Sequence, residues 1–175
     1  MPQTLFALLA ILVLSLYALG QHRSEATLER GAIGGQMELI VGEVARELLT
    51  EASQRAFDEV DLTRDELRFD TRGLTTALGP DGGETAMVDF DDVDDFNGYT
   101  ATVTRQRNGQ AIPVTVAMAV RYVQPDAPGT VSAAPTLAKE VVVAVTDALP
   151  ARDGRPPVAV TLNTFVTPSW KTIHG

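Results

Sequence analysis

The first twenty residues, MPQTLFALLAILVLSLYALG, contain no charged side chain, and this constrains the chain more than any other feature. From Leu5 to Leu19 only Ser15 and Tyr17 bring polar side-chain atoms. At about 1.5 Å per residue, a helix of this length reaches about 30 Å, the thickness of a bilayer's hydrocarbon core. Charge begins at His22, Arg23 and Glu25. Three uses fit: a secretory signal peptide cut after Ala18-Leu19-Gly20, a plain anchor, or the inner part of a longer helix. Met1 to Thr4 lacks the basic residues with which a signal peptide opens.

Helical patterning continues past Gly20. Leu28, Met37, Val41, Val44 and Leu48 fall on one narrow stripe, with Glu25, Glu29, Glu43, Glu47 and Glu51 on other faces. No proline interrupts residues 3–57, and the pattern turns acidic and irregular at Phe57-Asp58. The expectation is a helix over 2–57, roughly 80 Å long, too long to lie within the core of so small a domain. Gly31, Gly34 and Gly35 are its expected flexing point, since each mid-helix glycine costs about 1 kcal/mol relative to alanine. Close packing against a neighbouring helix is the alternative use of such small residues. The expected division is a helix over 1–57, with 1–20 as a membrane or filament-core segment, followed by a globular β-rich domain over 58–175.

The chain of 175 residues carries 23 acidic against 14 basic side chains, a formal net charge of −9. That balance argues against nucleic acid and anionic lipid as partners. There is no cysteine, which excludes a disulfide scaffold, thiol catalysis and thiolate metal sites.

Beyond a polar, loop-rich stretch with the turn cluster GPDGG, the sequence alternates as strands do. Tyr99 to Arg105, Val114 to Val123, Glu140 to Thr146 and Val158 to Val166 are four such runs, with Asn108-Gly109 as a hairpin turn after the first. Residues 124–138 read as a Pro/Ala/Gly-rich loop. The expected fold class is α+β. A long N-terminal α-helix, apolar in its first half and amphipathic in its second, packs on a C-terminal antiparallel β-meander of about four strands.

The acidic run offers Asp91, Asp92, Asp94, Asp95 and Asn97 as candidate oxygen ligands for Ca²⁺. EF-hand spacing fails, because anchoring the loop glycine at Gly98 puts Val93 at the first ligand position. A solvated loop with Asx turns leading into the Tyr99 strand is the competing reading. His22 and His174 are the only histidines and stand far apart in sequence. No GxSxG or P-loop spacing occurs, so no enzyme and no cofactor is expected. Trp170 is a candidate packing or interface aromatic.

Three stretches resemble type IV pilins and pseudopilins: Thr4-Leu5 opening an uncharged helix with a polar continuation, FDDVDDFNGYT over Phe90 to Thr100, and the ending KEVVVAVTDA…VAVTLNTFVTPSW. The second and third are similar to stretches of minor pilins of the mannose-sensitive haemagglutinin type. The chain differs from the family in having no glutamate within residues 1–20. The resemblance implies a type IV pilin-like fold and a structural subunit of an extracellular pilus-like filament. Leu5, Phe6, Leu8, Leu9, Ile11, Leu12, Leu14, Leu16 and Tyr17 would pack in the filament core. It implies copies of the same chain as partners in a helical homopolymer, together with other pilins and the pilus assembly machinery. The subunit would wait in the bacterial cytoplasmic membrane before assembly into a surface filament. A minor pilin or pseudopilin of a pilus or type II secretion apparatus is one alternative. An exported, anchored or signal-bearing β-rich binding module is the other.

Overall fold

The computed structural model describes residues 2–59, 70–107, 109–149 and 156–168, with helical side chains described at 6, 9–21, 31 and from 34 onward. Helical backbone is assigned to α1, Pro2–Ser53. It is shared between two compact units, Met1–Met37 and Glu38–Gly175. Its described parts make up two short helices, 9–21 and 34–53. The expectation of one long helix with a membrane-length apolar half is therefore corrected. Among the described residues, no helix is long and apolar enough to cross a membrane. The two compact units divide after Met37, between the apolar and the amphipathic parts of the helical stretch.

In the second unit the helix buries Ile40, Val41, Val44, Ala45, Leu48 and Ala52, one stripe at spacings of three, four and one. Arg105 on the sheet donates to Glu47, which ties the helix to the sheet. The helix stops where hydrogen bonds tighten to i−3: Gln54 donates to the Glu51 carbonyl and Arg55 to that of Ala52, at 3.2 and 3.3 Å. The chain then makes a single parallel bridge between Ala56 and Asp92. The Ala56 amide donates to the Asp91 carbonyl at 3.3 Å, and the Val93 amide to the Ala56 carbonyl at 2.9 Å. This bridge sets Phe57 and Asp58 beside the acidic loop.

Among the described residues the sheet has five strands, which corrects the expected meander of about four. They are β1 (Thr100–Arg107), β2 (Gln110–Gln124), β3 (Ala127–Val131), β4 (Lys139–Asp147) and β5 (Ala159–Val166). The order is β1-β2-β4-β5, with β3 pairing off this path to β2, and all pairings are antiparallel. The extra strand has a simple cause. β2 spans 15 residues and outruns both neighbours, so its last residues, Val123 and Gln124, take β3 as partner. All five residues of β3 are exposed.

Alternation along β2 buries Ile112, Val114, Val116, Met118, Val120 and Tyr122. In register opposite them on β4 stand Val145 to Val116, Val143 to Met118, Val141 to Val120 and Lys139 to Tyr122. The apolar core thus ends at a lysine. Ahead of β1, a 3₁₀ turn at Asp94–Phe96 seats Phe96 in the core, edge-on to Phe90 at 5.1 Å.

Candidate functional site

In the first unit, the helix presents apolar side chains all round. Phe6, Leu9, Ile11, Leu12, Val13, Leu14, Leu16, Tyr17 and Leu19 are each between 55% and 68% exposed. Consecutive helical residues point about 100° apart, so Ile11 to Leu14 alone cover every face. The two polar side chains of the stretch turn inward on the helix itself. The Ser15 hydroxyl donates to the Ile11 carbonyl at 2.8 Å, and the Tyr17 hydroxyl accepts from Gln21 Nε2 at 2.8 Å. Of the residues expected to pack a filament core, Leu5 and Leu8 lie outside the described side chains, and the other seven are exposed here. Gly31, Gly34 and Gly35 lie within helical backbone, and a Cβ at any of them would meet nothing within 4 Å.

Charge is divided between the units. The first holds two acidic residues, Glu25 and Glu29, and two basic ones, Arg23 and Arg30, and so has no net charge. The remaining 21 acidic and 12 basic residues give the second unit the entire −9.

In the second unit, the acidic run is split by its 3₁₀ turn into groups with different tasks. Asp95 Oδ2 accepts from the Asp91 and Asp92 amides, both at 3.0 Å, and Asp92 Oδ1 accepts from the Asp94 amide at 2.7 Å. The last is an Asx turn, but Asp92, Asp94 and Asp95 are buried, so the expected solvated loop is corrected. Asn97 bridges two segments, donating to the Leu78 carbonyl at 3.0 Å and accepting from the Val120 amide at 3.0 Å. Asp91 and Asp95 meet Glu84, a residue the sequence reading did not single out. Carboxylate oxygens of these three lie within 4.8 Å of one another, a set that could take a hard cation. Burial, then the neighbouring carboxylate Asp95, pushes Asp91 up. Glu84 is pushed up to about 7, first by burial; the Asp81 backbone amide opposes this and Asp95 adds to it.

Asp92 and Asp94 turn the other way, toward Lys139. The Lys139 side chain is fully buried and its Nζ donates to Asp94 Oδ1, to the Phe57 carbonyl at 2.5 Å and to Asp58 Oδ2 at 3.4 Å. Phe57 and Tyr122 place their rings 4.7 and 5.4 Å from Nζ. The Tyr122 hydroxyl donates to the Thr75 carbonyl at 2.9 Å. Burial and the facing carboxylates Asp58 and Asp94 push this phenol up. Burial, then the Asp94 charge, pushes Asp92 up to about 9, so it holds its proton at neutral pH. Burial also raises Asp94, against the pull of Lys139.

The sequence did hold a signal for this cluster. Lys139 falls in phase with Val141, Val143 and Val145, so strand alternation turns it inward, where a lysine requires partners. His22 and Trp170 cannot be placed against either site, because the His22 side chain, Trp170 and His174 lie outside the described residues. No protein-family model, no curated protein and no solved structure matches the chain.

Proposed function

We propose that this chain is a structural subunit of an extracellular filament of the type IV pilus kind, polymerising through the apolar helix of its first unit. The observation that carries the reading is the set of nine large apolar side chains exposed on every face of that helix. Water is a poor environment for such a surface, and burying each side chain is worth roughly 1.5–3 kcal/mol. A helix that is apolar on one face can be satisfied by one neighbour. A helix apolar all round calls for several, and identical copies supply them without further parts.

The charge division supports the same reading. The first units, which carry no net charge, can bundle without net repulsion, while the acidic second units keep the assembly soluble. A contact surface that repeats head to tail without closing yields a helical fibre. The enzyme class has no comparable support.

The test is negative-stain imaging and sedimentation of the purified full chain. Wild-type protein is expected as filaments. Leu12→Lys is expected as dispersed subunits whose β-sheet circular dichroism is unchanged, since a charge buried in the bundle is strongly disfavoured. Wild-type protein that stays monomeric at every concentration sinks the reading, as do normal filaments from Leu12→Lys.

A further inference from the structure

The cluster around Lys139 brings together the groups needed to make a covalent bond. A primary amine donates to a carboxyl group, that of Asp94, with both side chains shut away from solvent. Asp92 Oδ1 accepts the Asp94 backbone amide at 2.7 Å, which holds the Asp92 carboxyl next to that residue. The Phe57 and Tyr122 rings close the site around the amine. The two remaining N–H groups of the amine are held by the Phe57 carbonyl and Asp58.

We propose that Lys139 Nζ and Asp94 Cγ condense to an intramolecular amide, with Asp92 as the proton shuttle. The proton shared by the ion pair passes from Nζ to the Asp94 carboxyl, leaving a neutral amine and a neutral acid. Its departure frees the Nζ lone pair on the side that faces Asp94. That lone pair forms the N–Cγ bond, and the carbonyl π electrons move onto oxygen, which takes the Asp92 proton. A proton passes from nitrogen to one of the two hydroxyls, that Cγ–O bond breaks, and the oxygen departs as water with the bonding pair. The remaining hydroxyl gives its proton back to Asp92 as the amide carbonyl forms. In sum, an ammonium and a carboxylate become an amide and one water, with no oxidant, reductant or activating group.

The surroundings favour each stage. A dry site disfavours the charged pair and so promotes the neutral amine and acid. Holding the two groups in place turns a bimolecular condensation into a unimolecular one. The bond would join β4, between β2 and β5 in the sheet, to the 3₁₀ turn before β1. It is internal to the second unit and stands independently of the filament reading.

Intact-mass spectrometry of the full chain tests the proposal. The expected mass is below that of the sequence by one water molecule. Trypsin should fail to cut after Lys139 and should release a branched species joining 73–105 to 122–152. A full sequence mass together with a free 122–139 peptide overturns the proposal. So does a missing water without the branched peptide, which would place the dehydration elsewhere. Asp92→Asn is expected to fold, by its β-sheet circular dichroism, and to keep the full mass. If it loses water as the wild type does, Asp92 is not the shuttle. Lys139→Arg fixes the full-mass reference.

Discussion

Tyr122 and Lys139 face each other across β2 and β4, and both turn to one oxygen of Asp58. Asp58 Oδ2 also accepts the Thr75 amide at 3.0 Å, so three chain segments meet on a single carboxylate. Removing it takes a carboxylate from the buried Lys139 ammonium and the side-chain acceptor from the Thr75 amide. Asp58→Ala is expected to destabilise the second unit by about 3–5 kcal/mol, read from urea unfolding. Tyr122→Phe removes only the hydroxyl and should cost about 1–2 kcal/mol. Equal costs for the two variants would contradict the shared-carboxylate arrangement.

Stability should fall as pH rises. Asp92 stands at about 9 in the fold against an ordinary 3.8, and Glu84 at about 7 against 4.5. Both are raised, so the fold holds protons that the unfolded chain releases. Their contribution is complete below the unfolded values and is lost as pH climbs through the folded ones. The window therefore opens near pH 4 and extends to about 9. The groups facing Asp92 are Asp94, Lys139 and Asp95, and those facing Glu84 are Asp81, Asp91 and Asp95. Thermal melts at pH 5 and pH 8.5 should give the higher midpoint at pH 5. A higher midpoint at pH 8.5 would falsify this assignment.

Glu84→Gln separates the two contributions. It removes one of three crowded carboxylates without changing shape. The variant should melt higher than wild type at pH 8 and match it at pH 5, where Glu84 is already neutral. A gain of equal size at both pH values would point to packing rather than charge.

Phe96 is fully buried at the 3₁₀ turn, whereas Phe165 on β5 is 46% exposed. Phe96→Ala should cost about 3–5 kcal/mol through the cavity it leaves. Phe165→Ala should cost much less. Denaturant midpoints compare the two directly, and a similar loss at both sites would mean that the core does not lie where Phe96 places it.

A Cβ at Gly34 would meet open space, so Gly34→Ala should stabilise the isolated helix by up to about 1 kcal/mol. Far-ultraviolet circular dichroism of the dispersed subunit reads this as a higher helical melting temperature. A loss of helix would show that the backbone there is not helical.

The strands were legible because their alternation is strict. Val114 to Tyr122 and Val141 to Val145 repeat with period two, and the structure buries that phase. The helical stripe was legible for the same reason, and Met37, Val41, Val44 and Leu48 are all buried. β3 was not, because Ala127–Val131 includes Pro128 and Gly129 and buries nothing, so its pairing is dictated by the length of β2 rather than by its own residues. The extent of the apolar helix was misjudged because hydropathy measures a stretch of sequence, while the compact units divide after Met37. The acidic run was read as one ligand set because proximity in sequence hides direction. A 3₁₀ turn sends Asp94 to Lys139 and leaves Asp95 with Glu84. Glu84 could be found only by knowing where the chain returns after GPDGG.

In the proposed filament, the segregation of charge would make ionic strength a control on association. With all of the net −9 on one unit and none on the other, salt acts on the two in different ways. At about 0.15 M the screening length is about 8 Å, so added salt weakens repulsion between acidic units and leaves apolar contacts intact. Assembly should therefore tighten as salt rises, the reverse of what an interface held by ion pairs would do. For this molecule, salinity would act as an assembly signal.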